Sequence, residues 1–187
     1  MLSGMPVEVV TLEEVGITQD VEETGATIEE NAVLKAHAYA RMSGLLTLAD
    51  DSGLEVDALN GEPGVRSSRY AGEEADDAQR NAYLLHKLAD VPEGKRQARF
   101  RCVIVISTPD LAVEMTQGTC EGIISLAPKG AHGFGYDPIF SLPELNKHMA
   151  ELEPDEKNHI SHRGRATQGV GPILNRILAA QRGGARD

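Results

Sequence analysis

The segment QARFRCVIVIS at 97–107 constrains the fold more than any other stretch of the chain. Ala98, Phe100, Cys102, Ile104 and Ile106 alternate as one face of a strand, and the middle of the run is apolar on both faces. A second strand is expected at Leu111–Thr119 after the turn Thr108-Pro109-Asp110, and a third around Gly122–Leu126. Upstream, the apolar run Leu45–Ala49 reads as a buried strand ending at Asp50-Asp51-Ser52-Gly53, with another short strand near Leu54–Ala58. PVEVVT at 6–11 and Ile139–Phe140 complete the set of short strands.

Helices interleave with these strands. Thr27-Ile28-Glu29-Glu30 is a capping box, in which the Thr27 hydroxyl accepts from the Glu30 amide and the Glu30 carboxylate reaches back. Ile28, Ala32, Ala36, Tyr39 and Met42 keep helical spacing behind it, and Gly44 supplies a stop. Asp76–Ala89 reads as a second helix, with Asp76 or Asp77 as its N-cap and Leu84, Leu85 and Leu88 facing inward. The C-terminal part reads as polar helix, in which Gly169, Gly171 and Pro172 are poor helix formers. This interleaving indicates an α/β or α+β domain.

Composition narrows the class of function. A chain of 187 residues at 41% hydrophobic and 25% charged can bury a core, as one domain or two small lobes. No run approaches the roughly 18 apolar residues of a membrane span, and the start MLSGMPVEVV lacks the pattern of a signal peptide. Cys102 and Cys120 are too few for a disulfide framework or a cysteine zinc site, so a cytoplasmic, reduced setting is expected. The net charge of −11 argues against non-specific nucleic-acid binding. That charge is uneven: residues 1–90 hold 18 acids and 6 bases, and residues 91–187 hold 11 acids and 12 bases. The split suits carboxylates for a metal in one half and cations for an anion in the other, and it equally suits a plain solvated surface.

Four segments carry candidate chemistry. In ADDSG at 49–53 the two adjacent carboxylates point to opposite faces of a strand, so at most one addresses a given site. A carboxylate at a strand end suits Mg²⁺, which takes one or two protein carboxylates plus phosphate oxygens. All four residues of Asp50–Gly53 are also turn formers. The loop GEPGVRSSRYAG at 61–72, with Arg66 and Arg69, offers amides and cations to phosphate, or is a surface loop that offsets acidic neighbours. In GAHGFGYDP at 130–138, Phe134 and Tyr136 either stack on a flat ring or plug into the core, and Asp137 is placed to accept from ring N–H groups. Finally, EKNHISHRGRA at 156–166 clusters Lys157, His159, His162, Arg163 and Arg165. With Ser161 as an N-cap, His162 and Arg163 oppose the helix dipole unless an anion joins them; the alternative is a solvated basic face. His159 and His162 alone are weak support for zinc, and there is no G-x-S-x-G, P-loop or dinucleotide-binding glycine motif.

Taken together, EETGATIEENAVLKA (22–36), LADDSGLEVDALNGEPGVRSSRYAG (48–72), ARFRCVIVI (98–106), GFGYDPIF (133–140) and AELEPDEKNHISHRGRA (150–166) resemble the inosine/xanthosine triphosphate pyrophosphatase family, in order and in spacing. The resemblance implies an elongated α/β fold, two lobes around a mixed β-sheet with flanking helices and a central nucleotide cleft, commonly as a homodimer. It implies Mg²⁺-dependent hydrolysis of a purine nucleoside triphosphate such as ITP, dITP or XTP to the monophosphate and pyrophosphate. By resemblance Asp51 is the catalytic base and a metal contact, Glu22 helps hold Mg²⁺, and Ser52 contacts substrate. Phe134, Gly135, Tyr136 and Asp137 match the loop around the base, with Phe134 stacking. Lys157, His162 and Arg163 match residues that read the base edge and support the phosphates. The family's opening (T/S)GN-x-x-K segment has no counterpart in MLSGMPVEVVTLEEVG, where Ser3-Gly4-Met5 lacks the Asn and Lys. The expectation is therefore one domain over 1–187 without the first strand and helix, and an impaired nucleotide-binding remnant is the alternative reading.

Overall fold

The computed structural model describes residues 5–184, with side chains to residue 180; Ser3-Gly4 lies outside the described residues. The elements in chain order are α1 (Ile28–Ser43), β1 (Thr47–Val56), β2 (Pro63–Gly64), α2 (Asp77–Lys87), β3 (Gln97–Ser107), β4 (Val113–Ile124), β5 (Phe140–Leu142), β6 (Lys147–His148), α3 (Pro154–Ile160), α4 (His162–Gln168) and α5 (Val170–Gly184), with short 3-10 turns between several of them. The strands form one six-stranded sheet in the order β2-β1-β3-β4-β5-β6, and the β1–β2, β4–β5 and β5–β6 pairs are antiparallel. The α/β class read from the sequence is what the chain adopts. No described helix is long and apolar enough to cross a membrane.

The chain divides into two compact units. The first takes residues up to Asp51, Val103–Gln117 and those from Arg165 onward; the second takes Ser52–Cys102 and Gly118–Gly164.

In the first unit, α1 starts at the expected capping box on Thr27 and stops at Gly44, whose φ of 67° is left-handed. Its buried stripe is Ile28, Asn31, Ala32, Ala36 and Ala40, whereas Met42 is exposed. The expected strand at 6–11 does not form. Val9 and Val10 are exposed and no partner strand runs beside them among the described residues, so their β-propensity has nothing to pack against. The Leu45–Ala49 run is also less buried than its apolarity suggested, with Leu45 and Leu48 both exposed. Gly169 is explained by packing: a Cβ there would lie 2.2 Å from the Thr116 hydroxyl of β4, which donates to the Ala166 carbonyl at 3.0 Å. The residue that weakens the helix on propensity is the one that lets it approach the strand.

The second unit has its own core, built around Leu54, Val56, Leu84, Leu88, Phe100, Ile124, Ile139, Phe140 and Met149, with the Phe100 and Phe140 rings 4.5 Å apart. Two breaks expected from the sequence are absent. Asp50-Asp51-Ser52-Gly53 is no turn, because β1 runs through it for ten residues. Likewise β4 continues through Gly122, where a Cβ would fall 2.5 Å from the Phe140 ring. In both places turn-forming residues are held in a ladder by tertiary packing, which overrides their local preference.

Candidate functional site

In the first unit a carboxylate group gathers on Lys35. Its Nζ lies 2.7 Å from Glu23 Oε1 and 3.0 Å from Asp51 Oδ1. Asp51 is the fifth residue of β1 and shares a buried face with Ala49 and Gly53, while Asp50 points the other way. Glu23 is carried there by the turn ahead of α1. The Gly25 amide donates to Asn31 Oδ1 at 2.7 Å, and a Gly25 Cβ would lie 2.6 Å from that oxygen. The fully buried Asn31 thus fixes the chain against its own helix, with Glu23 two residues upstream. Glu22, the residue named by resemblance, is exposed; the acid beside Asp51's partner is its neighbour Glu23.

Burial pulls the Lys35 ammonium's pKa down, but the bonds to Glu23 and Asp51 outweigh it and hold the group above its ordinary 10.5. Lys35→Met is expected to lower stability at pH 7 by about 1–3 kcal/mol in urea unfolding, since two carboxylates lose their shared cation. The folded-state pKa is the raised one, so this lysine's contribution is fully present below 10.5 and fades as pH climbs through the higher value. The wild-type advantage over Lys35→Met should shrink in the same direction.

The second unit holds a pocket of about 210 Å³ lined by Ser52, Phe134, Gly135, Tyr136, Asp137, His162 and Arg163 among others. That is below the roughly 300 Å³ at which pockets for drug-sized ligands begin, and it suits one flat base better than a whole triphosphate. Phe134 is 60% exposed, while Tyr136 is buried and its hydroxyl donates to the Ser67 carbonyl at 2.8 Å. The two aromatics of the glycine loop therefore divide the roles considered for them: Tyr136 plugs the core and Phe134 presents an open ring. Burial pushes the Tyr136 phenol up to about 12, so it remains a donor.

Asp137 is buried, and it accepts from the Phe134 amide at 2.9 Å and from the Lys157 ammonium. Its carboxylate braces the loop from inside. Lys157 Nζ sits 4.4 Å from the Phe134 ring centroid, and the Arg163 guanidinium carbon 5.9 Å. Arg163 also reaches Ser52 Oγ at 3.5 Å. His162 is buried with its ring stacked on Phe100 at 4.8 Å. Ser161 accepts from the Gly164 amide at 3.1 Å, as an N-cap should. A Cβ on Gly164 would lie 1.8 Å from the Asn158 carbonyl, which is why the α3–α4 corner needs glycine.

Seven predicted residues (Ser52, Phe134, Gly135, Tyr136, Asp137, His162 and Arg163) thus line one pocket, and Lys157 joins it through Asp137 and Phe134. Asp51 stands in the carboxylate group, one residue before Ser52 along β1. Sequence reasoning missed Lys35 as an individual. Its signal was spacing, because Ile28, Asn31 and Lys35 fall at i, i+3 and i+7 on one helical face.

The Ham1 family model matches residues 1–172. The chain belongs to the Ham1 family. Among Ham1 relatives, it is 51% identical over 174 residues to a dITP/XTP pyrophosphatase of Desulforamulus reducens, covering 93% of this chain and 87% of that protein. It is 46% identical over 167 residues to a dITP/XTP pyrophosphatase of Bacillus subtilis, covering 89% and 84%. A solved Ham1 protein from Coxiella burnetii superposes with a TM-score of 0.89 at 44% identity, covering 94% of this chain and 89% of that one.

Proposed function

We propose that this Ham1-family chain hydrolyses non-standard purine nucleoside triphosphates, XTP, dITP and ITP, to the monophosphate and pyrophosphate. The supporting observation is the pocket, with an open Phe134 ring next to two cations, in a chain about half identical to proteins named for that substrate class. Phe134 stacks on the base, and Lys157, held by Asp137, donates to the 6-oxo group. Adenine offers a 6-amino donor at that position and would leave the ammonium facing another donor, a mismatch that a buried site penalises strongly. Arg163 offsets phosphate charge. The Asp51 carboxylate takes the proton from a water that attacks the α-phosphorus, and pyrophosphate leaves with the electron pair of the broken P–O bond.

Mg²⁺ belongs to the same proposal. Glu23 and Asp51 converge on one cation, the Lys35 ammonium, and a pair of carboxylates with phosphate oxygens is a donor set magnesium accepts. When bound, the ion would neutralise charge on the triphosphate. Glu23, rather than Glu22, is the acid assigned to it. A homodimer in the cytoplasm completes the proposal on the resemblance to the family. The test is product identity: XTP with Mg²⁺ should give XMP and pyrophosphate in equal amounts, a chelator should stop the reaction, and added Mg²⁺ should restore it. Binding of XMP without any turnover of XTP would overturn the proposal in favour of an impaired remnant.

A further inference from the structure

Phe134 can act as a stacking platform only if its backbone is fixed while its ring stays open. The residue that follows it is gripped from both sides by one helix. The Gly135 amide donates to Asp77 Oδ2 at 2.6 Å, and Asn81 Nδ2 donates to the Gly135 carbonyl at 3.0 Å. Asp77 and Asn81 lie four residues apart on α2 and so share a face. Asp77 also accepts from Arg80, whose guanidinium donates to the Ser68 carbonyl at 2.9 Å, and the neighbouring Ser67 carbonyl takes the Tyr136 hydroxyl. The loop 134–136 is thereby tied at Phe134 by Asp137, at Gly135 by α2 and at Tyr136 by Ser67.

Asn81 is unusual within this circuit. Its side chain is buried, and its Oδ1 has no hydrogen-bond partner among the described residues. A buried amide with an unpaired oxygen costs stability; a leucine of similar size would avoid that cost but would take the donor away from the Gly135 carbonyl. The reverse orientation of the amide would set two acceptors face to face. What Asn81 gains for the fold is a single bond, and that bond goes to the peptide that follows Phe134. We infer that Asn81 is a positioning residue for base recognition, fixing the Gly135 peptide so that Phe134 is preorganised to stack. This rests on the proposed function, and it adds a residue that touches no substrate atom.

The experiment compares wild type with Asn81→Leu and Asn81→Asp, measuring KM and kcat for XTP and amide hydrogen exchange at 133–136 in the free protein. Both variants should exchange faster at Gly135 and raise KM about tenfold with kcat within about twofold, because binding in a preorganised loop is lost and chemistry is not. Asn81→Leu loses one part-buried hydrogen bond and should melt slightly lower than wild type while staying folded; should it fail to fold, Asn81→Asp keeps the size and decides the matter. Wild-type exchange and KM in a folded variant would overturn the inference. If wild type itself turned over no XTP, the proposed function would fall, while the exchange rates would still decide whether Asn81 holds the loop.

Discussion

Asp51→Asn is expected to reduce kcat/KM for XTP by about 10²–10⁴-fold, the range for loss of a general base, while the protein stays folded. Asparagine matches aspartate in shape, so Ala49, Asp51 and Gly53 can keep their common face on β1. It keeps one side-chain oxygen for Lys35 and leaves the Glu23–Lys35 bond at 2.7 Å untouched. What disappears is the negative charge that accepts the proton from water and that a magnesium ion would meet. Pyrophosphate release and a thermal melt on the same preparation separate chemistry from folding. A folded Asp51→Asn with activity within tenfold of wild type would remove Asp51 from the mechanism.

Gly133→Ala should disable base recognition rather than chemistry. A Cβ at 133 would lie 2.0 Å from Asp137 Oδ2 and 3.1 Å from Lys157 Nζ. Asp137 has no room to yield, being buried and bound to both the Phe134 amide and Lys157. Gly133 also has a φ of 79°, where a side chain costs roughly 1–2 kcal/mol by itself. The methyl group therefore either expels the Asp137 carboxylate or lifts the loop. Each outcome frees Lys157 from its brace and turns Phe134 away, so KM for XTP should rise at least about tenfold, with a loss of stability of about 1–3 kcal/mol. Calorimetric titration with XMP reads the first effect and urea unfolding the second. Unchanged XMP affinity would contradict the role given to the Asp137–Lys157 pair.

The parts of the structure legible in the sequence are those governed by local chemistry or by strong periodicity. The capping box on Thr27, the stop at Gly44 and the span Gln97–Ser107 were all readable, because each is set by a few residues or by burial on both faces. The misreadings share a cause, namely neighbours distant in sequence. PVEVVT has strand composition but no partner strand among the described residues, and Asp50–Gly53 has turn composition inside a paired strand. Gly122 looks like a break and is a close approach to Phe140, whereas Gly169 does separate α4 from α5 and is also a close approach to Thr116.

The site followed the same pattern. The family resemblance named eight residues that stand at the pocket or its edge, but their roles depended on contacts that the sequence does not show. Glu22 and Glu23 are equivalent as letters, and only the Gly25–Asn31 bond selects the second as the one that meets Lys35. Tyr136 and Phe134 are separated by a single glycine whose φ of 60° turns one inward and the other out. Asn81 carried no motif at all, and it became visible only through its bond to Gly135, 54 residues away.

The most direct measurement is the ratio of kcat/KM for XTP to that for ATP, followed by pyrophosphate release with Mg²⁺ present. A pocket in which Lys157 must face a 6-oxo acceptor predicts a preference for XTP of about 10²-fold or more. Equal turnover of the two nucleotides would contradict it.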